Sequence, residues 1–212
     1  MSHIIFDLDG TLIDSKNEIF QTYKSVFKSI SPGKNPAIED LNYGMNINDL
    51  LSTVYGEDRE RIVLAKKMFM SIYDSSDYKE TSLYDGVYET INTLHKQGHS
   101  LYIATNKRYA PTIRILEAKK IRHFFLHVIG FEMTPGVALT KRDMVAELKR
   151  MGGFSEGYMV GDTVNDIQAG HDENLITVAV KYGYESENLL ATKKPHYMID
   201  RFDNLATLVT GN

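Results

Sequence analysis

Ile4-Ile5-Phe6-Asp7-Leu8-Asp9-Gly10-Thr11-Leu12-Ile13-Asp14 is the stretch that decides the fold. Its first three residues are apolar and β-prone, and the run breaks abruptly into two acids and a glycine. An apolar strand that ends this way delivers carboxylates at its C-terminal edge. Gly10 lets the backbone turn and approach a ligand with no Cβ in the way. A plain strand followed by an Asp/Gly turn would account for the same residues taken alone. The decision therefore rests on what lies downstream.

Beyond Asp14 the period changes from strand to helix. Ile19, Phe20, Tyr23, Val26, Phe27 and Ile30 form one wide apolar stripe. Ser15-Lys16-Asn17-Glu18 fits a capping box at its start, and Ser31-Pro32-Gly33 stops it. Ile47, Leu50, Leu51 and Val54 mark a second helix, and Ile62, Ala65, Met68, Phe69 and Ile72 a third. From Leu83 helices and strands alternate. Predicted strands are Leu101–Ala104, Val128–Phe131, Tyr158–Val160, Ile176–Val180 and Tyr197–Ile199. Between them lie helices carrying Val87, Ile91 and Leu94 (ended by Gly98), Pro111 to Leu116, and Met144, Val145 and Leu148 (ended by Gly152-Gly153). A last helix holds Phe202, Leu205, Leu208 and Val209.

This order predicts an α/β protein, a Rossmann-like parallel sheet covered on both faces. The core takes residues 1–14 and 82–212, and an all-helical cap, 15–81, is inserted after the first strand. Ligands of such sheets bind beyond the strand C-termini. Asp7, Thr105 and Asp162 each follow a predicted strand, so three elements bring polar groups to one edge.

Composition narrows the classes. The 212 residues are 42% hydrophobic and 25% charged, ordinary for a folded domain with a modest insert. A net charge of -4 argues against a nucleic-acid or membrane surface. With no cysteine, disulfides and thiolate chemistry are excluded. The chain enters a strand within three residues, which leaves no room for a signal peptide. No apolar run approaches the ~20 residues of a membrane span. A cytoplasmic protein is expected, either monomer or homodimer.

The chemistry follows from the acids. Asp7, Asp9, Asp162 and Asp166 are expected to crowd four carboxylates together, which demands a cation. Oxygen-only ligands favour Mg²⁺. Asp162 and Asp166, four apart, share one side of a helix that starts near Thr163. Thr105 offers a hydroxyl and nearby N–H groups to an anion, and Lys141 a point charge to a phosphate. Taken singly, each has a plainer role: an N-cap for Asp162, a turn cap for Thr105, a solvated surface group for Lys141. Tyr43-Gly44-Met45-Asn46, between two helices of the insert, either reaches a substrate or is a simple loop. Arg108 either meets a substrate anion or lies on the surface, where His171 is also expected.

The joint order is more telling. Asp-x-Asp-Gly-Thr, then Thr-Asn, then a lysine, then Gly-Asp-x-x-x-Asp resembles the haloacid dehalogenase superfamily. The helical insert resembles its C1 cap, and phosphoglycolate-phosphatase-like members are the nearest in look. The resemblance implies that Asp7 is a nucleophile that becomes an aspartyl-phosphate, and Asp9 a general acid and base. It implies Mg²⁺ held by Asp7, the Asp9 carbonyl and Asp162, with Asp166 in support. Thr105, the Asn106 amide and Lys141 would grip the phosphoryl oxygens. The carboxylate at Asp9 separates this chain from dehalogenases and phosphonatases. The implied activity is hydrolysis of a small phosphorylated metabolite, with phosphoglycolate first; sugar phosphates, nucleotides and pyrophosphate stay open. The alternatives are a β-phosphoglucomutase-like mutase and a non-catalytic binding protein. Asp14-Ser15-Lys16-Asn17-Glu18-Ile19 lacks the histidine of mutase-type members, and no aspartate of the set is lost. Arg142-Asp143 after Lys141, and Asp172-Glu173-Asn174 after the last motif, depart from the family pattern.

Overall fold

Ile4, Ile5 and Phe6 are fully buried in β1 (His3–Phe6), a strand paired along both edges and covered on its faces. The structure, a computed structural model, describes residues 1–33, 43, 47–133 and 138–210. Its main sheet contains β1, β4 (Ser100–Arg108), β5 (Phe125–Phe131), β6 (Tyr158–Gly161), β7 (Ile176–Val180) and β8 (Tyr197–Ile199). They run in the order β5-β4-β1-β6-β7-β8, all parallel. The winding thus reverses at β1, where open α/β sheets bind their ligands. Two short strands, β2 (Ile13–Asp14) and β3 (Ser82–Leu83), form a separate ladder.

Alternation along the strands divides the core. Ile5 lies opposite Tyr102 and Met159, and these pack with Met144, Val145 and Leu148 of α6 (Lys141–Gly152). Phe6 points the other way, to Phe125 and Phe202, with ring centroids 6.3 and 5.8 Å away. The remaining helices of this part are α4 (Val87–Lys96), α5 (Tyr109–Ala118), α7 (Val164–Asp172), α8 (Glu187–Ala191) and α9 (Asn204–Thr210). Gly98 takes φ +84° just past α4, and Gly153 takes φ +66° past α6, the left-handed stops expected of them. Asn174 does the same after α7, with φ +55°.

The chain folds as two compact units, residues 1–14 with 83–212, and residues 15–82. The second contains α1 (Lys16–Ile30), α2 (Ile47–Tyr55) and α3 (Arg59–Asp74). Its own core joins Tyr23, Val26, Phe27, Leu50, Leu51, Tyr55 and Ala65, with Phe69 against Tyr23 at 4.4 Å. No helix among the described residues is long and apolar enough to cross a membrane.

Two local expectations need correction. Ser15 flanks α1 but makes no side-chain capping bond. Glu18, the partner such a box needs, instead accepts from the Ser76 hydroxyl and, at 3.0 Å, from the Glu80 amide. A carboxylate satisfied by the far end of its own unit cannot reach back to Ser15 as well. The second correction concerns β4, expected to end at Ala104. It continues to Arg108: Thr105 faces Gly130 and Arg108 faces Phe131, so Asn106 and Lys107 bulge out of the ladder. Gly130 makes this possible, because a Cβ there would stand 2.9 Å from the Lys107 carbonyl oxygen.

Candidate active site

Asp7 is the first residue beyond β1, and its amide donates to the Val160 carbonyl of β6 at 2.9 Å. Asp162 is the first residue beyond β6. Adjacent parallel strands therefore bring these two side chains to one edge without any further device. Asp166 arrives from the first turn of α7, where Thr163 is the N-cap. The Asp166 Oδ2 accepts from the Thr163 amide (3.0 Å) and hydroxyl (2.7 Å), a reciprocal capping box. Asp162 is thus not the cap. Its Oδ1 accepts from the Thr11 hydroxyl at 3.0 Å, and its Oδ2 from the Tyr184 amide at 2.8 Å. Gly10, at φ +80°, comes so close that a Cβ there would collide with the Asp162 carboxylate.

Lys141 is the buried cation of the group. Its Nζ donates to Asp7 Oδ1 at 2.6 Å and to the Ala104 carbonyl at 3.0 Å, and pairs with Asp166 Oδ1 at 2.9 Å. That last contact is an ion pair without a directed hydrogen bond, since Asp166 Oδ1 has no hydrogen-bond partner. Lys141 is placed by a second capping box, Thr140 with Asp143, at the start of α6. Asp143, a departure from the family pattern, is therefore the residue that anchors the helix carrying Lys141.

Three carboxylates gather here rather than four. Asp7, Asp162 and Asp166 are buried, each offering an oxygen within 4.8 Å of the others. Asp9 is not one of the three, and Lys107 Nζ lies 3.0 and 3.2 Å from its two oxygens. Burial pushes the Asp7 carboxyl up to about 7 against the pull of Lys141, with Asp166 and Asp9 adding to the rise. Burial, then Asp7 and Asp166, pushes Asp162 up to about 8. Burial alone would lower Lys141, but Asp166 and Asp7 outweigh it and hold the ammonium above its ordinary value. Three acids share one ammonium, and desolvation favours the neutral form of the acids. An all-oxygen donor set of this kind, short of positive charge, fits a hard divalent cation.

The other candidates divide. Thr105 is buried, and its Oγ1 accepts from the Lys107 amide at 3.2 Å; Asn106 is exposed on the bulge. Arg108 is half-buried. His171 is also half-buried rather than a surface group, and its Nε2 donates to the Lys193 carbonyl at 3.1 Å. It lies at the C-terminal end of α7, among residues leading into the N-terminal ends of the strands. Gly44-Met45-Asn46 lie outside the described residues. Reasoning from sequence missed Lys107, Thr11 and the Tyr184 amide. Thr11 carried a signal, since it closes the Asp-x-Asp-Gly-Thr run; a backbone amide carries none.

The family profile described as haloacid dehalogenase-like hydrolase matches residues 4–180. The chain belongs to that family. It is 27% identical to the pyrophosphatase PpaX of Listeria monocytogenes serotype 4b (strain CLIP80459) over 208 residues, which is 97% of this chain and 95% of the relative. It is also 27% identical to the phosphoglycolate phosphatase of Pasteurella multocida (strain Pm70), over 96% of each chain. Among solved structures, a predicted phosphoglycolate phosphatase from Haemophilus somnus superposes with a TM-score of 0.86 at 25% identity, covering 99% of this chain and 98% of the other. A haloacid dehalogenase-like hydrolase from Streptococcus pneumoniae gives the same score at 22% identity, covering 100% and 99%, and speaks to the fold alone. The hydrolase thus carries the family's parallel six-stranded sheet, and its acids stand at that sheet's C-terminal edge.

Proposed function

We propose that this hydrolase is a Mg²⁺-dependent phosphatase of small phosphate monoesters that works through an aspartyl-phosphate on Asp7. The observation that carries the reading is the buried Asp7, 2.6 Å from Lys141 and beside the Asp162 and Asp166 carboxylates. An anionic nucleophile meets an anionic phosphate only where positive charge offsets both. Mg²⁺, when bound to Asp7, Asp162 and the Asp9 carbonyl with Asp166 in support, supplies the charge that Lys141 alone does not.

In the first step an Asp7 carboxylate oxygen forms a bond to phosphorus while the bond to the leaving oxygen breaks. Asp9 gives that oxygen its proton. In the second, Asp9 takes a proton from water, whose oxygen attacks phosphorus and frees Asp7 and inorganic phosphate. Lys141, Thr105 and the Asn106 amide hold the phosphoryl oxygens throughout. The helical unit, inserted in the chain right after the strand that carries Asp7, is proposed as the cap.

Phosphoglycolate is the first substrate to try. Pyrophosphate is the second, because relatives covering 97% of this chain are named pyrophosphatases. The deciding experiment follows phosphate release from a panel of phosphorylated metabolites with Mg²⁺, with an EDTA control and Asp7→Asn beside it. Release that needs Mg²⁺ and Asp7 supports the reading. Release that survives either removal, or no release from any ester, would abolish it.

A further inference from the structure

Lys107 stands outside the group of three carboxylates, yet it is the second lysine of the site. Both oxygens of Asp9 lie within 3.2 Å of its Nζ, and its side chain is only 9% exposed. Its place is built: the two-residue bulge in β4, over the bare Cα of Gly130, carries Asn106 and Lys107 out of the ladder. The Lys107 amide donates to Thr105 Oγ1 and so ties the bulge to the strand.

The two lysines divide the site between them. Lys141 is committed to the nucleophile side, on Asp7, Asp166 and the Ala104 carbonyl. Lys107 is on the side of Asp9. If Asp9 hands a proton to the leaving oxygen, the two oxygens are in hydrogen-bond contact at about 2.5–3.0 Å. An ammonium 3.0 Å from Asp9 Oδ1 then stands within about 6 Å of the leaving oxygen in any productive pose. A neutral alcohol gives such a charge nothing to hold. A leaving group with its own carboxylate or second phosphate puts an anion a few bonds from the one that breaks, within its reach.

We propose that Lys107 is a specificity residue, selecting phosphate esters and anhydrides whose leaving group is itself anionic. This rests on the phosphatase reading and deepens it, by naming the class of substrate and the side chain that selects it. Lysine suits the role because its ammonium is a point charge without a preferred plane, and serves carboxylate and phosphate alike. The ammonium is shared between Asp9 and the incoming anion and keeps its protons throughout.

The test compares 2-phosphoglycolate with 2-hydroxyethyl phosphate, which replaces the carboxylate by a neutral hydroxymethyl group of similar size. Wild-type protein, Lys107→Met and Lys107→Arg are assayed with Mg²⁺, with pyrophosphate as a second anionic substrate. Lys107→Met should lose at least about tenfold more kcat/KM on the two anionic substrates than on the neutral ester, chiefly through KM. Lys107→Arg should recover part of that difference. A reading independent of turnover is competition by the product: glycolate should inhibit the wild type far more strongly than ethylene glycol does, and Lys107→Met should lose this distinction. Equal losses on charged and neutral esters, or glycolate inhibition that survives Lys107→Met, would overturn the inference and leave the phosphatase reading standing. No phosphate release by the wild type from any of the three would end both. If Lys107→Met melts below the assay temperature, Lys107→Gln is read in its place against the same criteria.

Discussion

The two ends of the central sheet are built from opposite chemistry. At the C-terminal ends of β1 and β6 stand Asp7, Asp162 and Asp166 around Lys141, charged groups crowded into a buried place. At the N-terminal ends the polar work is done by neutral rings. The Ser2 amide donates to His99 Nδ1 at 3.1 Å, His3 Nδ1 lies 3.0 Å from the Tyr102 hydroxyl, and His196 Nδ1 accepts from the Thr177 amide at 3.1 Å. His3 also stacks on Phe154, with ring centroids 4.1 Å apart. Both ends must satisfy polar atoms, but only one does so with uncompensated charge. Electrostatic strain confined to one edge of a sheet marks where chemistry is done, and an edge where neutral partners suffice marks where it is not.

The sharpest way to break this contrast is to neutralise Asp7. Asp7→Asn should lower phosphate release at least about 1,000-fold, as expected when a nucleophile is removed, while circular dichroism stays native. A variant retaining more than a few per cent of activity would remove Asp7 from its role. Next comes the metal. Asp162→Asn keeps an acceptor for Thr11 and removes one charge, so Mg²⁺ affinity measured by calorimetry should fall by about 100-fold or more. Unchanged affinity would mean that Asp162 is no ligand.

A third test uses pH on the metal-free protein. Asp7 and Asp162, raised to about 7 and about 8 from 3.8, bind more protons when folded than when unfolded. Their contribution is complete below pH 4 and is lost as pH rises through 7 to 8. In EDTA the melting temperature should therefore drop between pH 5 and pH 8, by about 5 °C or more, and Mg²⁺ should restore it at pH 8. A flat profile would show that the acids are not strained. The other edge should behave in the opposite sense, and weakly. Burial, with the N-terminal charge, lowers His3 and His99, so their contribution is present above pH 6.5 and fades as pH falls. His3→Phe should flatten that acid-side slope, shift the melting temperature by less than about 3 °C and leave phosphate release unaltered. A loss of activity in His3→Phe would show that the two edges are coupled.

Asp7 and Asp162 were legible because each follows a strand, and a parallel sheet with this winding aligns the ends of neighbouring strands; Asp166 was legible from its spacing of four on the helix that follows. Lys141 was legible only through its place in the motif order; its neighbour Asp143 looked like a departure until the Thr140 capping box gave it a purpose. Lys107 was hidden by a bulge, which adds two residues on one strand and is written in no local pattern beyond Gly130 on the other. The Asp9 carboxylate was expected beside the other acids from its place in the same motif, and its contact with a lysine 98 residues away was not legible there. Ser15 shows the same weakness from the other side. A good local signature gave way because Glu18 had better partners at Ser76 and Glu80.

Because β1 lies between β4 and β6, its backbone groups wait for strands that the ribosome makes much later. Ile4 pairs with Leu101 on one side and with Tyr158 on the other. Until Tyr158 has left the exit tunnel, an emerging chain exposes one bare edge of this apolar strand, with Asp7 at its tip. Asp162 and Asp166 follow Tyr158 in the chain and emerge later still. Chaperone occupancy on translating ribosomes should therefore persist until β6 emerges, and no truncated translation product that stops before Asp162 can hold the assembled group of acids.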